Sequence, residues 1–137
     1  MLRTGLTFAL LASPFAVHAQ DLHGRQHFLE GEEVLINTMM CDTVEQLESI
    51  LQAQSEQGLE AGRAAYLALR ATPNDMQEPT CLVAPYRLTM LDIAAEVPDV
   101  PTATGQRQTL YILYVLVNQR PYVILSPLAI EPPGTDV

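Results

Sequence analysis

The chain has 137 residues, with seven arginines and no lysine against sixteen acidic residues, for a formal charge of −9. That length suits one folded domain and leaves no room for two independent cores. The charge, with arginines scattered rather than gathered into a basic stripe, disfavours nucleic acid and anionic lipid as partners and favours cationic ones.

Residues 1–19 predict an export signal peptide. Arg3 supplies the positive start, residues 6–17 are mostly apolar, and Val17, His18 and Ala19 offer a cleavage site. A spanning helix needs about twenty apolar residues, and Ser13 and Pro14 interrupt this shorter run, so no stable membrane insertion is expected. Location in the periplasm or secretion follows. Residues 20–31 are polar, carry His23, Gly24, Arg25, Gln26 and His27, and predict a flexible lead-in. One domain is expected over 32–130.

A short β-prone run over 33–40 predicts a first strand that ends at Cys41. A helix follows at once, because Asp42 or Thr43 can cap it, Thr43 and Gln46 have capping-box spacing, and Glu45 suits the positive helix end. Val44, Leu47, Ile50 and Leu51 share one face of that helix, and Glu45, Glu48, Gln52 and Ser55 share the solvent face. Gly58 either ends the helix or kinks it, and apolar and alanine positions from Leu59 to about Arg70 continue in helical phase. Thr72, Pro73, Asn74 and Asp75 signal a turn, with Pro79 just before Cys81.

Residues 82–97 alternate as a strand, with Tyr86, Leu88 and Met90 on one side and Arg87, Thr89 and Leu91 on the other. Pro85 implies an edge position or a late start. A loop is expected over 99–105. Residues 109–117 form a β-branched and aromatic run that predicts a central strand, apolar on both faces. Residues 118–121 interrupt it, 122–125 return as a hairpin arm, and 131–137 form a loose tail. The order of elements is that of an α+β domain: one N-terminal strand, one long or two short helices, then about three mostly antiparallel strands, with a helical layer on one sheet.

In an exported chain, Cys41 and Cys81 predict a disulfide, the alternative being two buried free thiols. Closing that loop would remove about 4 kcal/mol of unfolded-state entropy in the chain-entropy account. Cys41, Asp42 and Thr43, then Glu45, Gln46, Leu47 and Glu48, an alanine-rich stretch, Cys81 and a strand-rich tail resemble a family of small exported bacterial proteins of unassigned function. Glycine often follows the second cysteine there, where this chain has Leu82. The resemblance implies the cysteine framework and strand order, and no activity or site residue.

Candidate chemistry is sparse. His23 and His27 are candidate metal ligands, with Asp21 or Glu30, or through an Asp21-Leu22-His23 terminus suited to copper or nickel. Met39, Met40 and Cys41 suggest a soft-metal cluster, against their use as core filler. The acidic pairs Glu32 and Glu33, and Glu45 and Glu48, read more simply as solvated charge than as acid/base groups. Ser49, Ser55 and Ser126 lack a glycine-flanked elbow, and no phosphate loop is present. No catalytic residue and no cofactor is therefore assigned. The leading functional expectation is a non-enzymatic domain that binds a protein or small ligand through its sheet edge or the groove between helix and sheet, with Tyr111, Tyr114 and Tyr122 on the hairpin as contact residues. Alternatives are a small metal-handling protein using the N-terminal histidines, and an enzyme built from Arg87, Asp92, Glu96 and the tyrosines.

Overall fold

The fold was analysed in a computed structural model that describes residues 24–70 and 80–132. The elements in order are β1 (His27–Leu29), β2 (Glu33–Cys41), α1 (Val44–Gln57), α2 (Leu59–Leu69), β3 (Cys81–Pro101), β4 (Arg107–Val117), β5 (Arg120–Ser126) and β6 (Ala129–Glu131). This is the expected α+β domain, with two helices packed on an antiparallel four-stranded sheet and a Cys41–Cys81 disulfide. Residues 1–23, which include the expected leader and His23, lie outside the described residues.

The local signals around α1 operate as physical chemistry requires. Thr43 is the N-cap, its Oγ1 accepts from the Gln46 N–H, and Gln46 Oε1 accepts from the Thr43 N–H at 2.9 Å, so two orphan helix donors are satisfied reciprocally. Leu47, Ile50 and Leu51 are fully buried beneath it. Gly58, at φ 101°, ends α1 and starts α2, so the two-helix alternative holds. Gly62 then lets the helices close up. A Cβ at that position would stand 2.7 Å from Gln54 Cβ and 3.3 Å from its Cα. Gln54 is itself buried and donates through Nε2 to the Pro101 carbonyl at 2.6 Å, which ties α1 to the far end of β3.

The sheet closes on itself in the order β2-β3-β4-β5, with β5 returning to β2 through Met40↔Ile124 and Cys41↔Val123. Strand alternation sorts its side chains onto two cores. Met39, Cys41, Cys81, Leu110, Ile112, Val123 and Leu125 point to the helices. Val34, Ile36, Leu88, Met90, Leu113, Val115 and Ile124 point the other way, where Phe28 and Ile130 join them. This is why residues 109–117 read as apolar on both faces. The β4–β5 hairpin turns through Asn118 and Gln119, both at positive φ, the signature of a two-residue turn that matches strand twist.

Two expectations at the ends need correction. The lead-in expected to be flexible over 20–31 contains β1, which pairs in parallel with β6, and Phe28 is fully buried. β6 in turn reaches Glu131, into the segment expected as loose tail. One buried side chain holds β1 down, Phe28, while the adjacent Leu29 stays exposed, and the Arg25 guanidinium lies 5.1 Å above the Phe28 ring. β3 also runs unbroken to Pro101, where a loop was expected from 99. Three register shifts against β4 absorb the irregular backbone, the last of them spanning Pro98 and Asp99.

Two variants test this packing. Gly62→Ala gains up to about 1 kcal/mol of helix propensity but forces apart two packed helices, so urea unfolding should show a net loss of about 1–2 kcal/mol. The paired substitution Cys41→Ala with Cys81→Ala should lower unfolding free energy by about 2–4 kcal/mol, read the same way. Wild-type stability in either variant would contradict the corresponding contact.

Candidate functional site

The β2–β3 ladder runs from Glu33↔Thr89 to Cys41↔Cys81. In antiparallel pairing, residues alternate between pairs that exchange hydrogen bonds and pairs whose N–H and C=O groups point away from the partner strand. Three bonds fix the phase. The Asp42 N–H donates to the Thr80 carbonyl and the Met90 N–H to the Glu32 carbonyl, whereas the Val83 N–H donates outward to Tyr66 Oη at 3.0 Å. Even-numbered β2 residues therefore bond to β3. Glu33, Leu35 and Asn37 on one strand, and Cys81, Val83, Pro85 and Arg87 on the other, turn their backbone groups to the outside.

The two outer edges are treated differently. Along β3, the Tyr66 hydroxyl takes up the Val83 N–H, Pro85 has no N–H to offer, and Cys81 bridges to Arg70 beyond the end of α2. The Tyr86 hydroxyl donates to the Leu82 carbonyl at 3.1 Å. Burial pushes the Tyr86 phenol up to about 12, with Tyr66 and Tyr122 adding to the shift. Pro85 thus occupies an edge, as its sequence position implied, and helix and side chains occupy that edge from Cys81 to Pro85.

Along β2 the situation is the reverse. β5 pairs with β2 only at Met40 and Cys41. The Thr38 hydroxyl then takes the Leu125 carbonyl at 2.6 Å, and Ser126 Oγ turns inward to its own loop, accepting from the Leu128 N–H at 2.9 Å. Pro127 brings no N–H to continue the ladder. Among the described residues, no strand covers β2 from Glu33 to Asn37 on the side away from β3. Among the described residues, exposed Glu33 has no ion-pair partner there and the buried Asn37 Oδ1 has no hydrogen-bond partner, while Leu35 is 45% exposed.

The residues singled out from sequence are mostly dispersed. His27 lies in β1 with Nε2 3.8 Å from Glu131 Oε1, and among the described residues no three His, Cys, Asp or Glu side chains group as a metal cage. Met39 is buried in the helix-side core, Met40 turns to the opposite face, and Cys41 is oxidised. Glu45 and Glu48 are exposed on α1. Asp92 and Glu96 pair with Tyr114 and Tyr111, which alternate onto opposite faces of β4, so the two carboxylates do not converge. Arg87 lies five residues before Asp92, about 17 Å along an extended strand. Tyr111 and Tyr122 pack half-buried against the second core, while Tyr114 is 44% exposed. Glu33, read from sequence as solvated charge, and Leu35, given no role there, are the residues the geometry brings forward.

Just before β2, Glu32 holds the turn from β1. Its Oε1 accepts from Arg25 Nη2 at 2.6 Å and from the Leu29 N–H at 3.0 Å. The hydrogen bond from Arg25 holds the Glu32 carboxyl below the usual range, more than burial raises it. No helix among the described residues is long and apolar enough to cross a membrane. No protein-family model, curated protein or solved structure matches the chain.

Because Glu32 ionises more readily in the fold than in the unfolded chain, its contribution is present above the unfolded carboxyl pKa of about 4.3 and is lost as pH falls through the lower folded value. Both partners are partly solvated, which limits the contribution to about 1 kcal/mol. Glu32→Gln should therefore be less stable than wild type at pH 7 by that amount, with the gap narrowing below about pH 4 in parallel urea titrations. A gap that widens on acidification would contradict the ion pair.

Proposed function

We propose that this chain is an exported, non-enzymatic binding domain that takes up an extended polypeptide as an added strand along Glu33, Leu35 and Asn37 of β2. The observation that carries it is the asymmetry of the two edges: β3 is capped by Tyr66 and Pro85, and among the described residues no strand covers three consecutive outward-facing residues of β2. Open edges are aggregation hazards that folds usually blunt, so one left bare beside one closed supports a use for it. Main-chain hydrogen bonds would supply affinity, and the alternate side chains of β2 would supply selectivity. Export is supported by the leader sequence and by the disulfide, which persists in oxidising compartments. Kinship with the small exported bacterial proteins rests on the Cys41-Asp42-Thr43 helix start and the placement of Cys81, and it is part of this proposal.

Leu35→Pro is the informative variant, because the N–H it removes points away from β3, just as the N–H missing at Pro85 would point away from β2. Unfolding free energy should change by less than about 1 kcal/mol. Titration of the wild-type protein with short β-prone peptides should shift the amide resonances of Leu35 and Asn37 and leave Val83 in place. The Leu35→Pro protein should show no such binding. Shifts centred on Val83, or unchanged binding by the variant, would remove the β2 edge from consideration.

A further inference from the structure

Resting on that reading, we infer that the segment taken up by β2 is cationic, runs antiparallel, and places a basic residue opposite Glu33 and an apolar one opposite Leu35. Glu33, Leu35 and Asn37 share one face of the sheet, since alternate strand residues do. The carboxylate of Glu33 is exposed and meets no Arg or His among the described residues. Leu35, nearly half exposed, offers apolar area beside it. Across the ladder, Leu35 stands opposite Arg87 and Glu33 opposite Thr89, so the residue of β3 that faces Leu35 directly is charged rather than apolar. An incoming strand is thus offered one negative position and one apolar position two residues apart.

The long-range field points the same way. With seven cationic residues against sixteen acidic ones, the chain repels copies of itself and anionic segments, and draws cationic ones. Direction follows from the bonding. Glu33, Leu35 and Asn37 each direct both N–H and C=O outward, and in antiparallel pairing each exchanges both bonds with the single residue opposite, the slightly more stable ladder. Read from N to C terminus, the favoured segment presents a residue opposite Asn37, then the apolar one opposite Leu35, then the basic one opposite Glu33.

The test uses the full mature protein and the capped peptide Thr-Val-Leu-Val-Lys, its lysine-to-glutamate counterpart, and the reversed peptide Lys-Val-Leu-Val-Thr. Binding is followed by the Leu35 and Asn37 amide resonances. At low salt the lysine peptide should bind about fivefold more tightly than the glutamate peptide and more tightly than the reversed one, and the charge preference should shrink in 0.5 M salt, an amount typical of one cross-strand ion pair (~1 kcal/mol). Glu33→Gln should remove the preference without removing binding. Equal binding of lysine and glutamate peptides at these amides would overturn the cationic assignment and leave strand addition standing. Absence of any shift would overturn both. Concentration-dependent shifts of the same amides in the protein alone, with dimer mass in sedimentation, would make a second copy the occupant and overturn the inference.

Discussion

The disulfide joins residues that lie directly opposite one another, Cys41 and Cys81, with Cα atoms 4.1 Å apart, at a pair whose backbone groups face away from each other. The phase of both outer edges follows from that placement. A strand that slips by one residue turns every side chain to the other face and every outward amide inward. A covalent bond at one rung forbids the slip along the whole β2–β3 ladder. It therefore dictates at a distance that Leu35 presents its N–H outward and that Val83 meets the Tyr66 hydroxyl. Chain entropy gives the bond its stability, but its structural consequence is the phase.

Holding that phase would mean little if the ribbon were loose, and the two cores make it firm. The helices cover one face through Leu47, Ile50 and Leu51, and Phe28 with Ile130 covers part of the other. Gln54 links the layers by reaching from α1 to the Pro101 carbonyl, and the absence of a side chain at Gly62 lets α2 lie close enough to bring Tyr66 to the β3 edge. The same helix pair that completes the core thus closes one strand edge. The other edge is left bare by a different local cause, the departure of β5 at Ser126 and Pro127.

How far this could be foreseen from the sequence depended on the range of the interaction responsible. Local chemistry was legible. The Thr43–Gln46 capping box, the apolar face of α1, the two-faced run in β4 and the edge character of Pro85 are all written in neighbouring residues. Contacts between distant segments were not. Sheet closure rests on β2 meeting β5, for which Thr38 reaches a carbonyl 87 residues away. β1 depends on one phenylalanine finding Ile130, and a polar stretch with one aromatic carries no periodicity to announce it. The candidate site belongs to the second kind, because an uncovered edge is defined by what fails to lie beside it. Glu33 and Leu35 look like any alternating strand until β5 is seen to turn away, and the available hint was Pro127 directly after a strand run.

A bare edge in an acidic molecule is selective in a way that neither feature provides alone. Two copies pairing about Leu35 would set Glu33 opposite Asn37, so no local repulsion between carboxylates forbids self-association. What opposes it is the net charge of −9 on each chain. At physiological salt the screening length is about 8 Å, so surface charge close to the seam acts on an approaching strand while distant charge is largely hidden. The discrimination between a copy and a foreign segment then falls on the residues flanking the edge. Glu33 lies on it, Glu30 is exposed nearby, and Glu32 is already neutralised by Arg25. A carboxylate with no ion-pair partner among the described residues, next to one that is paired, would give the seam of the proposed strand addition a negative end that favours cationic strands over anionic ones, without weakening the backbone bonding that any strand would share.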